Sequence, residues 1–158
     1  MNKYIGTKEL LAKPMTRREY NDYRGLELPA NENPNDEGYL LEYLNGGKPN
    51  DDRHEGYISW SPADVFKDAY RQNGSLTFGD AIAALKHGQK VARSGWNGKG
   101  MWLSYVDPYH NNQFSIIEKN GAEGTFSPYI GMKTADNKYV PWLASQTDVL
   151  ANDWMITE

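Results

Sequence analysis

Residues 76–93 read LTFGDAIAALKHGQKVAR, and the order of signals within them decides the fold class. Thr77 precedes an apolar-periodic run, and Asp80 stands three residues later, the spacing of a helix N-cap with its reciprocal partner. Phe78, Ile82 and Leu85 fall on one face at helical spacing, and Gly88 supplies the stop. Lys90 to Arg93 then reads as a strand. A helix that hands over to short strands predicts an α+β domain, a helix followed by a twisted antiparallel β-sheet.

The remaining strands follow from alternation. Met101 to Val106 puts Met101, Leu103 and Tyr105 on one face and Trp102, Ser104 and Val106 on the other. Phe114–Ile117, Phe126–Lys133, Tyr139–Leu143 and Trp154–Thr157 are further candidates, with a turn at Asp136-Asn137. Pro128 and Pro141 argue for edge strands or bulges. Ser145 to Asp148 has the spacing of a cap on one helical turn. Trp142 and Trp154 read as core.

Upstream, the polar run Arg71-Gln72-Asn73-Gly74-Ser75 reads as a linker, so two small modules are expected, 1–72 and 75–158. The first predicts the order β-α-β-β-α. Tyr4–Thr7 is its first expected strand. A helix opens at Thr16 with Glu19 as capping-box partner and ends near Gly25. Gly38–Leu44 and Gly56–Trp60 are strands on either side of an Asn45-Gly46-Gly47 turn. Ser61 as N-cap with Pro62 at the first helical position predicts a second helix through Val65, Phe66, Ala69 and Tyr70.

Composition limits function. The chain has 158 residues, a net charge of −4 and no cysteine. Neither half carries an excess of cations, so binding to long nucleic acid is not expected. Disulfides and thiolate metal sites are excluded. No apolar run is long enough to span a bilayer or to form a signal peptide, so an intracellular protein without membrane contact is expected. The aromatic content of 13% supplies the core that the modest apolar fraction would otherwise leave thin.

Catalytic signatures are missing. His54, His87 and His110 form no metal-binding pair and read as surface residues, and there is no nucleophile elbow, phosphate loop or dinucleotide fingerprint. Asp51-Asp52 and Asp148 with Asp153 are spaced as carboxylate pairs, but read first as solvated loop charges. What stands out is ARSGWNGKGMW, residues 92–102, where hydrogen-bond donors lie beside rings. Glycines let a ligand approach main-chain N–H groups. The Trp96 face suits stacking on a nucleobase. Arg93 and Lys99 suit a phosphate. A glycine-rich hairpin whose Trp96 plugs the core fits these residues equally well. Thr134 and Asp136 suit ribose hydroxyls, although Asp136 taken alone reads first as a turn residue. Thr147 and Asp148 belong first to a helix cap.

Four motifs in register carry a resemblance: the helix just described, R-x-G-W-N-G-K-G-M, M-K-T-A-D, and P-W-x-A-S-Q-T-D-x-L-x-x-D-W. Together, over residues 76–158, they resemble the phage family of Thoeris anti-defence type two proteins. The resemblance implies a non-enzymatic sponge that binds a cyclic ADP-ribose-type immune signal of the glyco-cyclic class and holds it uncleaved. It implies no cofactor and no metal, action in the host bacterial cytoplasm, and a homotetramer with pockets between protomers. Cyclic dinucleotides are a second ligand class for such proteins. The matching positions make Trp96 the stacking residue, with Arg93, Ser94, Asn97, Gly98 and Met101 around it and Thr134, Asp136, Thr147 and Asp148 as further contacts. Two other classes stay open on the residues alone, a phosphodiesterase-like enzyme and a protein-interaction module. Residues 1–72 resemble a small phage module of no established function.

Overall fold

The computed structural model describes residues 1–4, 6, 8–96, 100–107 and 127–157. The chain divides into two compact units, Met1–Arg71 and Gln72–Glu158.

In the first unit the order is β1 (Leu10–Pro14), α1 (Arg17–Arg24), β2 (Gly38–Tyr43), β3 (Tyr57–Pro62) and α2 (Ala63–Ala69). The strands form an antiparallel sheet in the order β1-β2-β3. Tyr20 of α1 closes over Leu40 and Ile58 on one sheet face, with Met15, Tyr23 and Trp60 packed around them. On α2, Phe66 stacks between Tyr39 and Tyr70 with ring centroids 4.0 and 5.3 Å away.

Local signals behaved as physics requires. Thr16 accepts the Glu19 amide while the Glu19 side chain accepts the Thr16 amide, and Gly25 ends α1 in the left-handed region. Two expectations are corrected. The first strand lies at Leu10–Pro14; Tyr4 and Gly6, the described residues of the expected strand, are outside any element. Ser61 does not cap α2. It continues the β3 ladder opposite Tyr39, and Pro62 takes the cap position without a side-chain hydrogen bond.

Gly56 lies where the long β2–β3 connection rejoins the sheet. A Cβ there would run into the Tyr43 carbonyl. Gly56→Ala is therefore expected to cost about 1–3 kcal/mol, or more if the ladder has to part. A urea midpoint unchanged from wild type would show that the connection yields freely.

The second unit holds α3 (Phe78–Lys86), β4 (Lys90–Arg93), β5 (Trp102–Val106), β6 (Tyr129–Lys133), β7 (Tyr139–Pro141), α4 (Gln146–Val149) and β8 (Trp154–Thr157). All pairings are antiparallel, in the order β7-β6-β5-β4-β8. The unit is α+β, a helix followed by an antiparallel sheet. Thr77 and Asp80 form a complete capping box, and Gly88 has φ 82° just past the His87 cap. Ala81, Ala84 and Leu85 pack on Val91, Leu103 and Trp154, which are all buried. The register sets Val91 opposite Leu103 and Ile156, and Leu103 opposite Met132, so one sheet face is the core face. Trp102 falls on the other face, where its ring meets Tyr139 edge-on at 5.7 Å and Lys90 Nζ sits 4.9 Å from its centroid. Pro141 lies on edge strand β7, where its missing N–H costs nothing. The expected strand at Phe114–Ile117, along with Phe126, His110, Asn97, Gly98 and Lys99, falls outside the described residues.

Candidate functional site

Three segments singled out from sequence meet at one end of the second sheet. β4 leaves the sheet at Arg93, and β8 enters it at Trp154, its partner in register. β5 starts at Trp102 opposite Lys133, the last residue of β6, and Lys133 also faces Tyr139, the first of β7. The described residues that follow β4 and precede β5, the 134–138 turn and the residues leading into β8 therefore lie at the same end of the sheet, although they are far apart in sequence. Lys133 Nζ ties the first two together with a 3.1 Å bond to the Gly100 carbonyl. Met101 is half-buried next to that contact.

Arg93 is the centre of this end. Its Nε donates to Asp153 Oδ1 at 2.8 Å, Nη1 to Asp148 Oδ1 at 2.8 Å, and Nη2 to Asp153 Oδ2 at 3.5 Å. That uses three of the five N–H groups a guanidinium carries and leaves two without a partner among the described residues. Asp153 also accepts from Ser94 Oγ at 3.2 Å and the Gly95 amide at 3.3 Å, so one carboxylate fixes the start of the glycine turn. Asp148 accepts from the Ser145 amide and hydroxyl and completes the capping box of α4. Thr147 Oγ1 lies 2.7 Å from the same hydroxyl.

These contacts set the charges. Hydrogen bonds from Asp153 and then Asp148 push Arg93 up. The Arg93 bond is also the main cause holding Asp153 below the usual carboxylate range. For Asp148 burial is the largest influence and pushes upward, but the Ser145 hydroxyl and Arg93 outweigh it, so it too is lowered. Asp136 is lowered by Lys138 and then Thr134. All three are held as carboxylate anions, the wrong state for a general acid near neutral pH.

Trp96 is half-buried. It meets Trp142 and Trp154 edge-on, at centroid distances of 6.1 and 5.6 Å, and so plugs the core and borders the loop end at once. Trp154 is fully buried and donates its indole N–H to the Asp148 carbonyl at 3.0 Å. Thr134 and Asp136 build their own turn. Thr134 Oγ1 lies 2.6 Å from Asp136 Oδ1, and Asp136 pairs with Lys138 Nζ at 2.7 Å.

The structure thus joins Arg93, Ser94, Thr147 and Asp148 in one network, with the Trp96 amide bonded to the Arg93 carbonyl, and leaves Met101, Thr134 and Asp136 at the same sheet end on the β5, β6 and β7 side. Asp153, read from sequence as a solvated loop charge, is its hub. Asp148 shares that correction, since both carboxylates are spent on Arg93. The signal for Asp153 was its place just before β8, opposite Ser94, but only the strand register reveals it. Asp51 is likewise paired, with Arg53 at 2.6 Å and Arg24 at 3.6 Å. Among the described residues no group of three or more His, Cys, Asp or Glu side chains could hold a metal ion, and no helix is long and apolar enough to cross a membrane.

The comparisons agree on this unit. The family model described as the Thoeris anti-defense 2-like domain, Tad2-like, matches residues 76–157. A protein of Bacillus phage SP01, Thoeris anti-defense 2, is 45% identical over 83 residues, which cover 51% of this chain and 93% of that relative. The matched stretch contains α3, all five strands of the sheet and the Arg93 network, and the chain belongs to the Thoeris anti-defense 2-like family.

Proposed function

We propose that the second unit sequesters a cyclic ADP-ribose-type immune signal in the host bacterial cytoplasm and holds it uncleaved, serving a phage against host defence. The observation that carries this reading is a half-buried Trp96, packed edge-on against Trp142 and Trp154 and bonded through its amide to the carbonyl of Arg93, at the same sheet end as the 134–138 turn. A purine needs a flat apolar surface, riboses need short polar side chains, and a pyrophosphate needs N–H donors. Trp96 offers the first. Thr134, Asp136 and Thr147 offer the second. The Arg93 N–H groups that have no partner among the described residues, with Ser94, offer the third, and Asn97 and Gly98 are assigned to it by the family resemblance alone. Asp148 contributes by orienting Arg93, and Met101 by packing beside the turn. The ligand sits between protomers of a homotetramer, and cyclic dinucleotides fall within the same chemistry. No cofactor takes part. The locked carboxylates favour holding over cutting.

The test is release. Protein incubated with the product of a TIR-domain enzyme is heat-denatured, and the supernatant is analysed by chromatography. Intact ligand is expected; degraded ligand would establish an enzyme instead. Trp96→Ala is expected to weaken binding more than about tenfold, since base stacking on an aromatic contributes ~1–3 kcal/mol. Titration calorimetry with unchanged affinity would take Trp96 out of the site.

A further inference from the structure

In the first unit three polar side chains form a hydrogen-bonded line that the second unit's function does not use. Glu42 Oε2 lies 2.8 Å from His54 Nδ1, and His54 Nε2 lies 2.9 Å from Tyr23 Oη. The Glu42 and His54 side chains are only 13% and 15% exposed. Glu42 Oε1 is occupied as well, by the Glu55 and Gly56 amides at 3.0 Å each. The His54 bond, followed by the Gly56 amide, keeps Glu42 below the usual carboxylate range. A carboxylate only accepts, so Nδ1 donates to Glu42, and with one proton on the ring Nε2 accepts from the Tyr23 hydroxyl. Arg53 stacks over the Tyr23 ring, 3.8 Å from its centroid, and donates to the Tyr23 carbonyl at 2.7 Å, so the tyrosine is held from both ends.

This line forms one wall of a cavity of about 260 Å³, whose other lining residues are Leu11, Ala12, Lys13, Met15 and Leu40. The volume falls just below the roughly 300–1,000 Å³ of sites for drug-sized ligands, which suits one ring rather than two. Polar capacity on the wall is narrowly defined. Glu42 and both His54 nitrogens are engaged, and the Tyr23 proton is committed. What remains is the lone pairs of Tyr23 Oη, which select a donor. Lys13 selects an anion, and Leu11, Met15 and Leu40 select an apolar ring.

We propose that the cavity beside Glu42, His54 and Tyr23 is a second small-molecule site, one that takes a single-ring organic acid bearing a ring hydroxyl or N–H. The ring lies on Leu11, Met15 and Leu40. Its donor meets Tyr23 Oη, and its carboxylate pairs with Lys13. Glu42 and His54 are positioning residues that keep the Tyr23 proton turned away from the ligand.

The test uses the full chain, with para-hydroxybenzoate as probe and benzoate as its counterpart lacking the donor. The ring nitrogens of His54 and the methyl of Met15 are followed by NMR. Saturable shifts are expected in the millimolar range, with benzoate about five- to tenfold weaker, the worth of one net hydrogen bond. Tyr23→Phe is expected to erase that preference, and Lys13→Met to weaken both compounds. If Tyr23→Phe loses its dispersed amide spectrum, His54→Gln serves instead: it frees the Tyr23 proton and must shrink the preference. No saturable shift at either probe position would overturn the proposal. So would equal binding of the two acids by wild type, or a preference that survives a folded Tyr23→Phe.

Discussion

Replacing Trp154 with alanine is expected to remove about 3–5 kcal/mol from the second unit, a large share of the roughly 5–15 kcal/mol that holds a small domain folded. The residue is fully buried and joins every layer of the unit. Its ring meets Phe78 of α3 at 5.4 Å, Trp96 at 5.6 Å and Trp142 at 6.1 Å. Its backbone exchanges two hydrogen bonds with Leu76, at 3.0 and 3.1 Å, which fixes the entry to α3. Alanine keeps the backbone bonds and leaves a cavity where three rings converge. Trp154→Phe fills most of that space but removes the indole donor from the Asp148 carbonyl, which keeps the Ala151 amide at 3.3 Å, so about 1 kcal/mol is expected. Urea unfolding followed by near-ultraviolet circular dichroism measures both. A loss below about 1 kcal/mol for alanine would mean that the rings close up around the gap and that the cluster is not the keystone of the unit. Because Trp96 leans on Trp154, the alanine variant is also expected to lose ligand affinity.

What could be read from sequence was what is decided locally. The boxes at Thr16–Glu19, Thr77–Asp80 and Ser145–Asp148 close over three residues, so the spacing alone carries them. Alternation placed β5 because Leu103 is buried while its neighbours on either side are not. The same logic failed at β1. Its burial is nearly uniform, with Leu11 to Pro14 all exposed, so Leu-Leu-Ala-Lys-Pro has no inward face to announce it. An edge strand of that kind is placed by its partner, here Leu10 opposite Tyr43 through Pro14 opposite Tyr39. Ser61 was misread for a related reason. Serine before proline is a good cap signal, but pairing with Tyr39 satisfies the residue first.

The site divides along the same line. Trp96 and its glycines draw attention by composition. Arg93 was legible as a cation near a ring, but not as a clamp, since both its partners lie more than fifty residues downstream. Glu42, His54 and Tyr23 were invisible for that reason too. A histidine in a polar loop reads as surface until β2 and α1 are seen to bring a carboxylate and a phenol to its two nitrogens.

Arg93→Gln should show what the clamp contributes, and it carries a signature in pH. At neutral pH the substitution removes charge-assisted bonds to two carboxylates and leaves both near each other without a cation. A loss of about 2–4 kcal/mol is expected, below the cost of breaking a fully buried pair because the side chains keep 15–31% of their surface exposed. In the wild type Asp148 and Asp153 both titrate below their ordinary value of 3.8. A carboxylate lowered on folding stabilises above its unfolded value, and that contribution is lost as pH falls through the folded one. The wild type therefore sheds this stability only under acid conditions below 3.8. In the glutamine variant the carboxylates repel, their folded values rise, and acidification relieves the strain instead. The stability gap between the two proteins is expected to stay level near neutral pH and to narrow once pH falls into the carboxylate range, where the variant's carboxylates take up protons first. Arg93→Lys should fall between them, because a point charge cannot reach Asp148 and the two oxygens of Asp153 in the planar manner of a guanidinium. Urea midpoints at constant ionic strength, measured across that pH range, decide the matter. A gap that stays constant with pH would mean that the Arg93 bonds hold shape without holding charge, and the anionic state assigned to Asp148 and Asp153 would have to be given up.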